Sequence, residues 1–498
     1  MESLFQAFAN AFTLEVILIL FAGVILGIMF GATPGISTSM GMALMLPITY
    51  KLTIFPSMAL LLGLYIGGVS GGLITAILLN IPGTPGSIAT TFDGHPMARR
   101  GEAGKALGIG ILYSFFGGLI SLLLLFTLAP VLAGIALKFT AVEYFSITLF
   151  SFVLIAGLSG KSLVKGLISA ILGVIFTTVG VAPIDAMFRY TFGFHALDGG
   201  IQLLPVLIGV YAMTEILKVA EFDTPLIQVL NYKMKGFGVS LKMFKEQFVN
   251  LVRSSIIGAG IGLLPGLGAN ISNILAYSAA KKYSKHPEKF GTGIVDGLVA
   301  SESSNNSVSG GAMIPLLTMG IPGDAGTAIL LGGLTIHGIQ AGPLLFIKQE
   351  PLIYTIFLFL IMANFMMLFA EYFGMKCFLK MIKIPKYYLF PIIIVICCVG
   401  AFSTNNRIFD VWMILFFALV AYFLYKFKFP SAPFVLGFVL GGMFETNLCR
   451  GITNLQSNPL NLINYPIALV MLALTLIVII YTVFSRLKKS EKYDKDTQ

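Results

Sequence analysis

The tripeptide Ile-Pro-Gly interrupts apolar sequence twice in this chain, at Ile81-Pro82-Gly83 and at Ile321-Pro322-Gly323, and Val-Ser-Gly-Gly precedes it each time, at 69–72 and 308–311. A Pro-Gly turn lies upstream of each copy, Pro34-Gly35 and Pro265-Gly266, and a histidine follows each, His95 and His337. The chain therefore carries two copies of one unit with Gly/Pro breaks at matched places. Proline deletes a backbone N–H and glycine permits a sharp bend, so each break interrupts a helix. Paired interruptions in corresponding halves of a hydrophobic chain point to a secondary transporter's binding site.

Composition settles the solvent. Hydrophobic residues make up 57% of 498, charged residues 11%, and mean hydropathy is +0.92. A soluble domain carries about a quarter of its residues as charges, which excludes that class here. Apolar runs of about 20 residues recur, long enough to cross a bilayer core of about 30 Å. A β-barrel would show short alternating strands instead. The fold class is all-α: a polytopic integral membrane protein of roughly ten to twelve helical segments, with hairpins and broken helices in two inverted repeats. The net charge of +10 mostly reflects loops facing the cytoplasm, not affinity for nucleic acid. Cys377, Cys397, Cys398 and Cys449 have no metal-ligand spacing. Glu2 and Glu15, with no basic residue before the first apolar run, argue for a retained first span instead of a cleaved leader.

The first repeat spans 1–216, with its hairpin and broken-helix core at 13–98 and further spans at 105–216. A polar cytoplasmic connector occupies 217–249, and the second repeat spans 250–498, with its core at 250–346, spans at 351–484 and a tail. Orientation follows the Lys/Arg bias of short loops. Arg486, Lys488 and Lys489 place the C-terminus in the cytoplasm, as do Lys376, Lys380, Lys383, Lys386, Lys161, Lys165, Arg99, Arg100, Lys218, Lys233 and Lys235 for their loops. Lys281, Lys282, Lys285 and Lys289 return the second hairpin to the inside, whereas the first hairpin enters and returns outside, so the N-terminus is outside.

Broken helices persist in a bilayer only where buried in protein or lining a wet cavity. N–H groups freed after a break carry the positive end of a helix dipole and suit a carboxylate, and freed carbonyls suit Na⁺. Hydroxyls and amides crowd both breaks. The candidate substrate ligands are Asn80, Thr84, Ser87 and Thr90 in one unit, Asn305, Asn306 and Thr327 in the other, and Ser37, Thr38, Asn270 and Ser272 beside the Pro-Gly turns. The candidate cation site takes backbone at Pro34, Gly35, Pro265 and Gly266 with the acids Glu302 and Asp324, because intramembrane acids are costly and functional. Small residues at such places also let helices pack closely. Gly68-Val69-Ser70-Gly71-Gly72 fits the G-x-S-x-G of serine hydrolases, but a duplication explains both copies of Val-Ser-Gly-Gly and a nucleophile explains one. No nucleotide motif, H-E-x-x-H or Cys/His cluster is present.

At these residues the sequence resembles the TctA family, the large membrane subunit of tripartite tricarboxylate transporters. The matching stretches are 31–49, 75–108, 262–277, 284–306 and 315–346, of which TAILLNIPGTPGSIATTFDGHPMARRGEAGKALG at 75–108 is specific. The resemblance implies a permease, not an enzyme, in a prokaryotic cell (inner) membrane. It implies carboxylate uptake driven by a Na⁺ or H⁺ gradient, with no cofactor. Its implied partners are a small TctB-like membrane subunit and a TctC-like extracytoplasmic solute-binding protein that delivers the tricarboxylate or similar organic acid. An ion channel or a permease working alone is the alternative class, with an intramembrane serine protease a remote third.

Overall fold

The computed structural model describes residues 2–158, 162–221, 236–382, 386–456 and 458–496. The first half holds α1 (Glu2–Ala11), α2 (Leu14–Ala32), α3 (Thr38–Thr49), α4 (Ile54–Leu79), α5 (Ile88–Met97), α6 (Ala103–Ala136), α7 (Ala141–Leu158) and α8 (Leu163–Thr177). A two-strand antiparallel ribbon follows, β1 (Gly180–Val181) and β2 (Phe188–Arg189), with Gly180 opposite Arg189. Then α9 (Leu203–Leu207) runs through a π turn into α10 (Thr214–Glu221). The second half holds α11 (Leu241–Gly262), α12 (Gly268–Tyr283), α13 (Val295–Met319), α14 (Ala325–Ile336), α15 (Leu345–Lys348), α16 (Glu350–Ile382), α17 (Lys386–Asn405), α18 (Ile408–Lys426), α19 (Ser431–Asn454) and α20 (Pro466–Asp496).

The protein is an all-α, multi-pass membrane protein. Among the described residues, seven helices are long and apolar enough to cross a bilayer, and six shorter apolar helices accompany them, including α3, α8 and α14. Helix α11 starts at Leu241, inside the stretch read as polar connector, because Ser240 caps it through the Met243 N–H at 3.2 Å. Of the orientation markers, Lys161, Lys233, Lys235 and Lys383 lie outside the described residues, and the side chains of Lys386, Arg486, Lys488 and Lys489 are likewise not described.

Water-driven burial is weak between helices in lipid, so close backbone approach has to hold them together. Helices α2 and α4 meet along Gly23, Gly27 and Gly31 on one and Gly63, Gly67 and Gly71 on the other. A Cβ added at Gly31 would lie 2.2 Å from the Gly68 carbonyl oxygen. The corresponding pair, α11 and α13, repeats the device at Gly258 and Gly262, where a Cβ would meet the Ser304 and Val308 carbonyls at 2.4 and 2.6 Å. Helix α4 also packs on α16, and α13 packs on α6. One apolar core runs through both halves, and a smaller cluster of Ile147, Ile155, Ile321 and Leu436 sits over the second break.

Candidate functional site

Both breaks are built by the same backbone turn. Helix α4 ends at Asn80 with φ 58 and ψ 28, and α13 ends at Gly320 with φ 73 and ψ 19, both left-handed. The next N–H then reaches back six residues in each copy. Ile81 donates to the Thr75 carbonyl at 3.4 Å and Ile321 to the Pro315 carbonyl at 3.2 Å, the Schellman pattern that ends a helix and satisfies its last carbonyls. The glycine after each proline lies against the end of its own hairpin arm. A Cβ at Gly83 would meet the Gly31 carbonyl at 2.3 Å, and one at Gly323 the Gly262 carbonyl at 2.5 Å. Each break is thereby held to a hairpin tip, at the second copy also by the Gly266 N–H donating to the Gly323 carbonyl at 2.6 Å.

The sequence leads one to expect free N–H groups at the helix starts after the breaks; at the second break Asp324 caps the start of α14, whereas no side chain among the described residues caps α5 after the first. Asp324 Oδ1 accepts from the Thr327 N–H and hydroxyl, both at 2.8 Å, and Asp324 Oδ2 accepts from the Tyr65 hydroxyl at 2.7 Å. At the matching place the Ser87 hydroxyl donates to the Thr84 carbonyl at 2.8 Å and accepts from the Thr84 N–H at 3.3 Å. Tyr65 thus crosses from the first unit to brace the second break.

The reverse crossing makes a polar cradle. Asn305 on α13 and Asn273 on α12 both reach the first break. Asn305 Nδ2 donates to the Val69 carbonyl at 3.0 Å, and Asn273 Nδ2 donates to the Gly86 carbonyl. A Cβ at Gly86 would lie 2.1 Å from Asn305 Oδ1, so only glycine lets these amides approach. Since each Nδ2 faces a carbonyl, flipping either amide would set oxygen against oxygen, and the orientation is fixed by the network. It leaves Asn273 Oδ1 and Asn305 Oδ1 buried with no hydrogen-bond partner among the described residues, together with the hydroxyls of Thr84 and Thr38. Buried polar atoms are ordinarily paired, so a cluster of unpaired acceptors calls for a ligand.

The other expected residues divide. Thr90 donates to Glu302, and Ser272 and Ser304 share a hydrogen bond under the cradle. Ser37 caps α3 through the Met40 N–H at 3.1 Å, and Thr38 packs on Gly68. Asn306 bonds to the Glu302 carbonyl of its own helix at 3.4 Å. Asn80 and Asn270 are exposed, and neither side chain makes a hydrogen bond among the described residues. Pro34-Gly35 and Pro265-Gly266 form the hairpin tips, with Gly35 at φ 80 and Gly266 at φ 74. Ser70, the nucleophile of the hydrolase pattern, donates to Glu371 at 3.0 Å and bonds to no histidine.

Sequence reasoning passed over four residues that the fold recruits: Tyr65, Asp93, Ser114 and Glu371. Asp93, fully buried, takes the N–H groups of Gly291, Gly293 and Ile294 at 2.7–3.0 Å and the Tyr277 hydroxyl at 2.9 Å, joining α5 to the loop before α13. Glu371 carried a signal, a lone acid within the apolar run of α16. Beside the second break, a cavity of about 790 Å³ is lined by Tyr144, Met319, Gln340, Lys348, Asn447 and Arg450 among others. Ala341 and Met443, also in its wall, pack directly on Gly320.

Comparison with known proteins agrees with this architecture. Residues 17–436 match the model of the tripartite tricarboxylate transporter TctA family. The chain is 34% identical over 494 residues to an uncharacterized 52.8 kDa protein in the TAR-I ttuC′ 3′ region of Agrobacterium vitis, covering 99% of this chain and 98% of that one. It is 32% identical over 241 residues to an uncharacterized protein in the TAR-II ttuC′ 3′ region of the same organism, covering 48% of this chain and all of that one. No solved structure matches. With a family match across most of its length and a full-length relative at this identity, the chain is a member of the tripartite tricarboxylate transporter TctA family.

Proposed function

We propose that this chain is a secondary-active permease. It takes up a tricarboxylate or similar organic acid with a Na⁺ or H⁺ gradient and receives its substrate from an extracytoplasmic binding protein, beside a small membrane subunit. One observation carries the reading: two matched breaks and two hairpin tips converge on a cradle where Asn273, Asn305, Thr84 and Thr38 present unpaired buried oxygens. Amide and hydroxyl oxygens bind a cation directly, and the same hydroxyls donate to a carboxylate. Substrate and coupling ion therefore meet between Thr84, Ser87, Ser272 and Asn305, with Glu302 behind them on α13.

The two units are inverted repeats, with the N-terminus outside and the C-terminus in the cytoplasm. Pairs of element ends meet consistently with that order. Ser3 bonds to Glu350 at 2.8 Å at one end, and Glu221 pairs with Lys426 at the other. On this reading the cavity beside the second break is the outer mouth, and Lys348 and Arg450 on its wall attract an anion. The test is uptake of labelled mono-, di- and tricarboxylates by energised vesicles lacking ATP, with and without the binding protein. Uptake should follow an imposed ion gradient and require the binding protein. Uptake that needs ATP and ignores both gradients defeats the proposal, and gradient-driven uptake indifferent to the binding protein makes the chain a permease that works alone. Single cysteines at positions 5 and 492 should label from opposite faces.

A further inference from the structure

Glu302 on α13 and Glu371 on α16 are both fully buried. They flank one turn of α4: Ser70 bonds to Glu371, and the carbonyl of adjacent Val69 bonds to Asn305, one turn after Glu302. Each is served only by hydroxyls. Glu302 Oε1 accepts from Thr90 and Oε2 from Ser114 at 2.8 Å, whereas Glu371 Oε2 accepts from Ser70 at 3.0 Å and Oε1 has no partner among the described residues. None of the ion pairs among the described residues includes either acid. Apart from the Tyr113 hydroxyl, buried without a partner among the described residues, the charged and titratable groups on the neighbouring elements are engaged or turned away. On α5, Asp93 is held by backbone N–H groups and His95 by the Ile77 carbonyl. On α6, Tyr113 stacks on Phe244, and Lys105 pairs with Glu102 at the helix start. On α4, Tyr65 goes to Asp324; on α12, Tyr277 goes to Asp93; on α11, Arg253 goes to Asn250. Glu2 of α1, Glu15 of α2, Lys245 and Glu246 of α11 and Lys376 of α16 are exposed, and Tyr372 of α16 packs on Phe237.

A carboxylate buried without a cation partner is costly, and here two lie on either side of one α4 turn. Glu302 has a donor for each oxygen and can hold a charge; Glu371 has one donor for two oxygens and is the better place for a proton. The pair is also wired to the cradle. Ser70, which serves Glu371, follows Val69, whose carbonyl holds Asn305. Glu302 lies one turn before Asn305 on α13. The hydroxyls come from α4, α5 and α6 and the acids from α13 and α16, so the pair spans the seam between the halves. We propose that Glu371 and Glu302 form the proton-binding pair of the transport cycle, and that Ser70 and Asn305 link its charge to the occupancy of the cradle. Resting on the permease reading, this makes the coupling ion a proton. One proton from the outer solution adds to Glu371 before the loaded protein turns over, and the same proton leaves to the cytoplasm before the empty protein returns.

Glutamine imitates a protonated acid that cannot release its proton. In the transporter reconstituted with its partner subunits, and with labelled citrate among the carboxylate probes, Glu371→Gln should therefore still exchange internal for external substrate. It should fail to accumulate substrate under an inward proton gradient. Infrared spectra of the purified parent should show the C=O band of a buried carboxylic acid at neutral pH, absent from Glu371→Gln. Accumulation by Glu371→Gln equal to the parent's, or parental accumulation that follows Na⁺ and ignores the proton gradient, overturns the pairing. If Glu371→Gln does not fold, the infrared titration of the parent decides: no buried acid band refutes the proposal. A parent that exchanges no carboxylate at all defeats the permease reading instead, and leaves the infrared result to judge the pair.

Discussion

At the first break Asn80, Ile81 and Pro82 lie on the surface, whereas at the second Gly320, Ile321 and Pro322 are buried beneath α7 and α19. The backbone turns are the same, and the glycines at 83 and 323 touch their hairpins in the same way. What differs is the cover and the side chains that answer it. Thr84 and Ser87 occupy the open copy; Asp324 and Thr327, braced by Tyr65, occupy the closed one. On the permease reading proposed above, a duplicated unit with one copy covered and one open suits alternating access, because exchanging the covers would exchange the accessible side. The sharpest way to break this comparison is accessibility. In a background without Cys377, Cys397, Cys398 and Cys449, Ile81→Cys should react fully with a water-soluble thiol reagent and Ile321→Cys should be protected. Equal labelling of the two would mean that both copies are open or that the protein samples both states equally.

The next effect concerns the unequal caps. Asp324→Ala removes an N-cap, which costs about 1 kcal/mol, and leaves the buried Tyr65 hydroxyl unpaired, which costs about 1–3 kcal/mol more. Thr84→Ala removes a hydroxyl with no partner among the described residues, so its cost should stay below about 1 kcal/mol. Thermal unfolding of the purified variants reads the difference, and equal destabilisation would show that Tyr65 does not brace the second break.

The cradle comes third. Asn273→Ala and Asn305→Ala remove amide oxygens that suit a cation and unpair the Gly86 and Val69 carbonyls, so each should weaken cation-dependent carboxylate binding and also cost about 1–3 kcal/mol of stability. Loss of folded protein with unchanged affinity in what remains would assign both amides to helix packing alone.

Much of this was legible beforehand, for a physical reason. Proline and glycine act on the chain locally, so Ile81-Pro82-Gly83 and Ile321-Pro322-Gly323 announce broken helices without any knowledge of the fold. Apolar run length likewise announces the spans. Partners across the seam are a different matter, since they depend on which helices meet. Tyr65 reads as one aromatic among many until α14 is placed beside it, and Ser70 suggests a nucleophile until Glu371 is placed opposite. Asn305 and Asn80 look equivalent in sequence, each a polar residue near a break. Only packing separates the amide pressed on Gly86 from the one at the surface.

That last contrast yields the smallest effect and the finest test. Asn80 holds φ 58, where asparagine is favoured among residues with a Cβ, and its exposed side chain makes no hydrogen bond among the described residues. Glycine takes the same conformation without strain, so Asn80→Gly should change stability by only a few tenths of a kcal/mol, about 0.5 at most. Its transport kinetics should match the parent's. The reciprocal change is not neutral. A Cβ at Gly320 would lie 2.8 Å from the Ala341 carbonyl, so Gly320→Asn forces a covered site apart and should cost about 1–3 kcal/mol although asparagine tolerates the backbone angle. The two exchanges together ask whether position 80 exists for the turn or for the ligand. If Asn80→Gly keeps its unfolding temperature but loses affinity by about 1–3 kcal/mol, the amide reaches the substrate when the first break is covered in its turn, and the open copy in this structure is one half of a cycle. If affinity is unchanged, Asn80 is a helix terminator, and recognition belongs to Asn273 and Asn305.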